Sequence, residues 1–119
     1  MNNERRKIHH RRLQVAQLIK SELENILFLG KSLKPQIIGG RCSITRVEVT
    51  GDLRLATCYF IPSKSFDLDQ DEILEGLNAS KKILRYFISQ KLTTKYSPEF
   101  RFFYDYAYEN AIKVDRILN

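Results

Sequence analysis

Residues Ile44 to Ile61, ITRVEVTGDLRLATCYFI, decide how this chain folds. Two apolar-patterned runs are separated by Gly51-Asp52, and apolar residues alternate with polar ones along each run. A period of two is typical of a strand that is buried on one face. The stretch therefore predicts a β-hairpin that turns at Gly51-Asp52 and carries one core face. The residues expected on that face are Val47, Val49, Ala56, Cys58 and Phe60.

Pairing the strands across this turn sets an expected register. It places Val49 opposite Arg54, Val47 opposite Ala56, and Thr45 opposite Cys58. Ile44 falls out of phase and would face solvent, so we expect a β-bulge near Thr45 and Arg46 that turns it inward. Because a lone hairpin is only marginally stable in water, helices from the flanking segments must cover its apolar face.

Length and composition fit one ordinary domain spanning residues 1–119. The chain is 43% hydrophobic, enough for a core without metals or disulfides. No apolar run is long enough to cross a bilayer and the basic N-terminus lacks a secretory signal, so we expect a cytosolic protein without membrane contact. Cys42 and Cys58 are expected to be buried, reduced packing residues. The net charge of +6 suits a polyanionic partner such as nucleic acid, although some basic proteins are merely soluble.

An amphipathic helix is predicted from Lys7 to Leu29, with Asn3 as a candidate cap and Gly30 at its end. Its expected apolar face comprises Ile8, Val15, Leu18, Ile19, Leu23, Ile26 and Leu27. The basic N-terminal end, residues 1–12, contains a group that we call the N-terminal cluster: Arg5, Arg6, Lys7, Arg11 and Arg12. Positive charge there opposes the helix dipole, which suggests phosphate binding. A solvated, frayed end is the alternative.

His9 and His10 are neighbours, so they point about 100° apart on a helix and cannot chelate one ion. We therefore predict no metal site and no cofactor.

A second helical segment is predicted to begin at Asp69, which has Glu72 in capping-box spacing, and to continue to Leu92. Small and polar residues from Asn78 to Lys82 predict a bend or break in it. Positive charge follows the break at Lys81, Lys82, Arg85, Lys91 and Lys95. The first three, which we call the α3 cluster, fall within one turn and are candidate RNA-binding residues. The alternative is that these charges only stabilise the helical segment, because acidic residues precede the break and basic residues follow it, as the helix dipole favours.

Phe100 to Asp105 is predicted to be a third strand, parallel to the second strand of the hairpin. Residues 108–119 are expected to form a short last helix or a docked tail. The expected fold is therefore α/β of the α+β kind, ordered helix, strand, strand, bent helix, strand, with helices on one face of a three-stranded sheet. Tyr59 and Phe103 are the candidates for base stacking on that sheet, with packing as the alternative.

This arrangement resembles a type II KH domain, an RNA-binding fold. The GXXG loop of most KH domains is absent, since Asn78 to Lys82 contains no glycine. Three segments resemble the ribosome-binding factor A family, and the resemblance as a whole covers nearly the entire chain. They are Val47-Glu48-Val49-Thr50-Gly51-Asp52-Leu53 with Ala56, Leu77-Asn78 leading to Ile83-Leu84-Arg85, and Pro98-Glu99-Phe100-Arg101-Phe102 with Asp105.

The family replaces the KH loop with a small-residue interruption that ends in glycine. Here that position reads Ser80-Lys81-Lys82, and lysine favours helix more than glycine does. We therefore expect a break that is shallower or shifted. The residues assigned to it are Asn78, Ser80 and Lys82.

The resemblance implies a non-catalytic assembly factor that binds the small (30S) ribosomal subunit, its 16S rRNA and ribosomal proteins during late maturation and rRNA processing, and that matters most in the cold. Apart from the resemblance, we expect a monomer with no small-molecule substrate. An enzyme is the hypothesis from another class, but the sequence shows no paired carboxylates in an apolar setting, no nucleophile with a base and no phosphate-binding glycine loop. A generic binder of RNA or single-stranded DNA is the second alternative.

Overall fold

The fold is an α+β arrangement in which helices cover one face of a three-stranded sheet. The computed structural model describes residues 3–30, 33–92 and 97–118. Its elements are α1 (Asn3–Leu29), a short 3₁₀ helix (Pro35–Ile37), β1 (Cys42–Val49), β2 (Leu55–Pro62), α2 (Gln70–Ala79), α3 (Lys81–Ser89), β3 (Glu99–Tyr104) and α4 (Tyr106–Leu118). The central strand, β2, pairs antiparallel with β1 and parallel with β3. The predicted fold class and the parallel third strand are confirmed.

The register of the hairpin differs from the prediction by two residues. Val49 pairs with Ala56 and Val47 with Cys58, because the chain turns through a wider loop than Gly51-Asp52 alone. Asp52 Oδ1 holds this loop by accepting hydrogen bonds from the Thr50 hydroxyl at 2.7 Å and the Arg54 N–H at 3.1 Å. A shift by an even number of residues leaves every side chain on its predicted face.

The predicted β-bulge is present, and Thr45 is its extra residue. Ile44 pairs with Phe60 and Arg46 with Tyr59, so Thr45 has no partner in the ladder. Ile44 is turned into the core, where it is 1% exposed. The Thr45 hydroxyl lies 2.5 Å from Asp105 Oδ2 and 3.3 Å from the Tyr59 carbonyl oxygen.

The core lies between the sheet and the helices, with α1 against β1 and with α2 and α3 near β3. Of the predicted face, Val49, Ala56, Cys58 and Phe60 are buried, whereas Val47 is only half-buried. The opposite face, which we call the open face, carries the exposed side chains of Glu48, Arg101 and Phe103, together with Tyr59.

Helix α1 extends further towards the N-terminus than predicted. It begins at Asn3, so Asn3 is not a cap outside the helix, and its first buried residue is Val15. Ile8, expected on the apolar face, is exposed because the first turns project beyond the sheet, and Leu18 is exposed on the outer side of the helix between the buried Val15 and Ile19. At the other end Gly30 adopts a φ of 74° and its N–H bonds to the Ile26 carbonyl, which confirms the predicted stop.

Both cysteines are free and buried, as predicted. Burial raises the pKa of Cys58 to about 12. Burial, with a smaller effect of the Glu24 charge, raises the pKa of Cys42 to about 12 as well. Both side chains are therefore neutral thiols at physiological pH.

Helix α4 starts at Tyr106, two residues before the predicted position. Asp105 supplies its N-terminal cap by accepting a hydrogen bond from the Tyr108 N–H at 2.9 Å. None of its residues is fully buried, and Val114 and Ile117 are exposed. Beside it runs a groove of about 810 Å³ whose lining includes Phe28 of α1.

The two faces of the sheet can be compared through two phenylalanines. Phe60 is 0% exposed on β2 and Phe103 is 49% exposed on the neighbouring strand. We expect Phe60→Ala to lower the free energy of unfolding by about 3–5 kcal/mol, because it removes core contacts and leaves a cavity. Phe103→Ala should cost about 1 kcal/mol or less. Urea denaturation measures both, and equal losses would mean that the faces are reversed.

The Asp105 carboxyl makes stability depend on pH. Burial by itself would raise its pKa, but hydrogen bonds from Thr45 and the Tyr108 N–H, with the nearby Arg46 charge, hold the pKa below its ordinary value. A depressed pKa stabilises the fold above the unfolded-state pKa of about 3.9, and this stabilisation is lost as the pH falls through the folded-state value.

We therefore expect Asp105→Asn to lower the free energy of unfolding by about 1–3 kcal/mol at pH 7, since it weakens a buried network. The difference from the wild type should shrink below about pH 4, where the wild-type carboxyl protonates. Thermal melts from pH 3 to 7 measure it, with Asp67→Asn in an exposed loop as the control. A difference that does not change with pH would contradict this role.

Candidate nucleic-acid interface

The helical segment is broken at one residue, Ser80. Helix α2 ends at Ala79 and α3 begins at Lys81, while Ser80 adopts a φ of −99° and a ψ of 4°. Its N–H donates to the carbonyls of Gly76 and Leu77, both at 3.1 Å. Its own carbonyl accepts from the Leu84 N–H at 2.9 Å, so α3 starts without losing this bond.

The break is fixed by close packing against the segment before β1. Ser80 is 2% exposed, and its hydroxyl oxygen lies 3.4 Å from the Lys34 N–H, which donates to it. One turn earlier, a Cβ on Gly76 would come within 2.6 Å of the Ile37 side chain. Small residues are therefore needed where α2 meets the 3₁₀ helix.

The three residues assigned to the break lie in different places. Asn78 is in the last turn of α2, Ser80 is between the helices and Lys82 is in the first turn of α3. Lys82, which stands at the position of the family glycine, therefore lies within α3, which has already begun at Lys81. The break at Ser80 precedes this position by two residues.

The α3 cluster lies on the outside of the molecule. Lys82 and Arg85 are exposed and Lys81 is half-buried. The Arg85 guanidinium donates a hydrogen bond to the Ser97 carbonyl at 2.9 Å, which fixes it beside the entry to β3. Lys91 is exposed just beyond the end of α3, and Lys95 lies outside the described residues. Helix α3 carries no acidic residue, so its exposed surface is positively charged.

Lys82 and Arg85 lie together at a shallow depression of about 290 Å³. Its other lining residues are Tyr86, Ser89 and Ser97. Sequence reasoning missed Tyr86, since an aromatic residue in an amphipathic helix usually packs in the core. The signal was its spacing: Lys82, Tyr86 and Ser89 recur at intervals of four and three and so share one helical face.

The N-terminal cluster lies on the projecting first turns of α1, and none of its residues lines this depression. Arg5, Arg6, Lys7 and Arg11 are exposed, while Arg12 is half-buried and contacts the His9 ring nitrogen Nδ1 at 2.9 Å. His9 and His10 are both exposed. The two basic groups are thus separate features at the surface.

The open face holds the two aromatic residues considered for base stacking. The Arg46 guanidinium lies 3.7 Å from the centre of the half-buried Tyr59 ring, so it covers one side of that ring. Arg46 also contacts Glu48 and Asp105, which offset its charge. Phe103 lies 6.2 Å from Tyr59, centre to centre, and is half exposed.

Within residues 3–30, 33–92 and 97–118, no three His, Cys, Asp or Glu side chains are grouped so that they could hold a metal ion. None of the helices in these ranges combines the length and apolar character that crossing a membrane requires.

Comparison with known proteins identifies relatives along most of the chain. The sequence model of the ribosome-binding factor A family matches residues 11–118. Ribosome-binding factor A of Rickettsia bellii is 43% identical over 109 residues, which cover 92% of this chain and 88% of that protein.

Solved structures show the same fold. The crystal structure of ribosome-binding factor A from Thermus thermophilus is similar with a TM-score of 0.57 and 13% identity, over 80% of this chain and 92% of that one. A homology model of the Thermus thermophilus protein, fitted into a cryo-EM map of a 30S complex, is similar with a TM-score of 0.50 and 13% identity, over 71% and 89% of the two chains. On the extent of the sequence match, the chain belongs to the ribosome-binding factor A family.

Proposed function

We propose that this protein is a non-catalytic assembly factor that binds the small ribosomal subunit and contacts its 16S rRNA. The observation that carries the proposal is the exposed positive charge of α3 beside the break at Ser80, without acidic residues on that helix. Membership of a family named for ribosome binding supports it, as does the similarity to a relative placed in a 30S complex. We further propose that binding occurs during late maturation and rRNA processing and is most needed in the cold.

The expected contacts are between phosphate groups and cationic side chains. Lys82 and Arg85 project from one helical turn, and the Ser97 carbonyl holds the Arg85 guanidinium in place. We also assign Lys81, Lys91 and Lys95 to this phosphate-binding surface. The N-terminal cluster provides a second group of cations on the projecting end of α1. Phosphate contacts of this kind supply affinity and orientation, while carrying little information on base sequence.

The two cysteines and two of the aspartates are held in ways that support a non-catalytic role. The neutral thiols of Cys42 and Cys58 are poor nucleophiles, since the thiolate is the reactive form. The Asp105 carboxylate is bound by Thr45 and the Tyr108 N–H. Asp52, whose pKa is lowered by hydrogen bonds from Thr50 and the Arg54 N–H, holds the hairpin loop.

The proposal places the protein in the cytoplasm as a monomer, bound to ribosomal RNA and ribosomal proteins. A generic RNA-binding role outside ribosome assembly is the second candidate, and the exposed ring of Phe103 on the open face favours it. Gradient fractionation of a lysate separates the two. An assembly factor will migrate with free small subunits, and a generic binder with mixed RNA.

Changing Lys81, Lys82 and Arg85 together to Ala tests the α3 cluster. If each contacts one phosphate, the slope of log affinity for small subunits against log salt concentration should fall in magnitude by about 2–3 units. The fold should survive, because Ala favours helix and none of the three side chains is buried, so their charges contribute little to stability. Filter binding across a salt series and thermal melts measure the two effects.

The matched control also removes three exposed positive charges, from Lys64, Lys113 and Arg116 beside the α4 groove. It should leave the salt slope within about one unit of the wild type, since those residues are not expected to lie on phosphate. Equal changes in the two triple variants would show that net charge alone, and not the α3 cluster, determines binding.

A further inference from the structure

The depression beside α3 contains an aromatic ring that the phosphate contacts do not explain. Tyr86 is 62% exposed although it lies in a helix whose Leu84 and Ile88 are buried. It shares the depression with Lys82 and Arg85. A large, flat, exposed ring flanked by two cations is the combination found in surfaces that bind single-stranded nucleic acid.

We propose that Tyr86 stacks on an unpaired base of the ribosomal RNA, while Lys82 and Arg85 hold the neighbouring phosphates. This inference rests on the proposed function and specifies the kind of RNA recognised there. Base stacking requires an unpaired or splayed-out nucleotide, because bases within a duplex have both faces covered. The α3 surface is therefore assigned to a single-stranded element, such as a loop, a bulge or an end.

The geometry gives the ring a supported but accessible position. The centres of the Tyr86 and Phe87 rings are 5.8 Å apart with 62° between their planes, so Phe87 supports the tyrosine without lying flat against it. The Ser89 hydroxyl donates to the Tyr86 carbonyl at 2.7 Å, within the last turn of α3. Because the Ser97 carbonyl binds Arg85, the charge beside the ring is fixed before RNA arrives.

The charge around the ring favours RNA at this place over the open face. The residues lining the depression include two cations and no acidic side chain. On the open face the Tyr59 ring is already covered by Arg46, and Glu48 and Asp105 offset that charge. Phe103 shares the open face with the exposed Arg101 and Glu99 of its own strand, so charges of both signs surround its ring, which makes it the matched control for Tyr86.

Stacking and phosphate contacts have different thermodynamic signatures, and three variants of Tyr86 separate them. We expect Tyr86→Ala to weaken binding to small subunits by about 5- to 150-fold at every salt concentration, with an unchanged salt slope. Tyr86→Phe, which keeps the ring, should stay within about threefold of the wild type. Tyr86→Leu should behave like Ala, since an aliphatic side chain fills space without stacking. Lys82→Ala should instead change the slope by about 0.7–0.9 units.

The same measurements on protein-free small-subunit rRNA identify the partner. A loss with Tyr86→Ala on both the subunits and the protein-free rRNA supports stacking on RNA. A loss on subunits alone would assign Tyr86 to a ribosomal protein and overturn the inference. Phe103→Ala is expected to bind within about threefold of the wild type. If Phe103→Ala weakens binding and Tyr86→Ala does not, stacking occurs on the open face and the inference is wrong.

The proposed function and the stacking inference fail in distinguishable ways. Wild-type protein that does not bind small subunits overturns the proposed function and, with it, the role of Tyr86. Wild-type protein that binds while Tyr86→Ala binds equally well overturns the stacking inference alone. Thermal melts of every variant establish that it is folded, and an exposed residue such as Tyr86 should shift the melting temperature little.

Discussion

The carboxylate of Asp105 joins parts of the chain that are far apart in sequence. It accepts a hydrogen bond from the Thr45 hydroxyl in the bulge of β1, lies 3.5 Å from Arg46 Nε and caps α4 through the Tyr108 N–H. These contacts depend on the bulge, because the extra residue that turns Ile44 into the core also turns Thr45 towards the end of β3. The bulge at Thr45 therefore both turns Ile44 of β1 into the core and provides a contact for the aspartate that caps α4.

A second constraint is the close approach of α2 to the segment before β1. Gly76 and Ser80 face this segment, and neither position has room for a large side chain. The chain restarts as α3 immediately after Ser80, so the direction of α3 is set by packing inside the domain. The positions of Lys82, Arg85 and Tyr86 on the outside follow from that packing. In this way the core determines the geometry of a surface that faces outward.

Sequence reasoning predicted the features that depend on local periodicity and capping. The alternation of apolar and polar residues identified the core face of the hairpin, and the out-of-phase Ile44 identified the bulge. Asp69 was correctly predicted as the N-terminal cap of α2, where it accepts a hydrogen bond from the Glu72 N–H at 2.8 Å. The register was wrong because the loop includes Leu53 and Arg54 as well as Gly51-Asp52, with Leu53 at a left-handed φ of 61°. A pattern of two turn residues does not show this extra length. Even so, the faces were right, since the error was an even number of residues.

Features that depend on long-range placement were harder to predict. The first turns of α1 look amphipathic but extend past the sheet, so Ile8 remains 54% exposed. In the candidate interface, spacing along one helix was enough to group Lys82 with Arg85. It could not show that Ser97, twelve residues after Arg85, anchors the guanidinium, or that Tyr86 faces solvent. Periodicity reports which residues share a face, and tertiary packing decides which face is covered.

Helix α4 buries none of its residues completely, whereas the sheet and the other helices contribute the whole buried core. Local opening of a segment costs the free energy of the contacts it breaks. The backbone amides of α4 will therefore exchange with solvent through openings that leave the sheet intact, while those of β2 exchange only when the whole domain unfolds. The C-terminal helix thus forms a separate, weaker cooperative unit, joined to the domain at the cap that Asp105 provides.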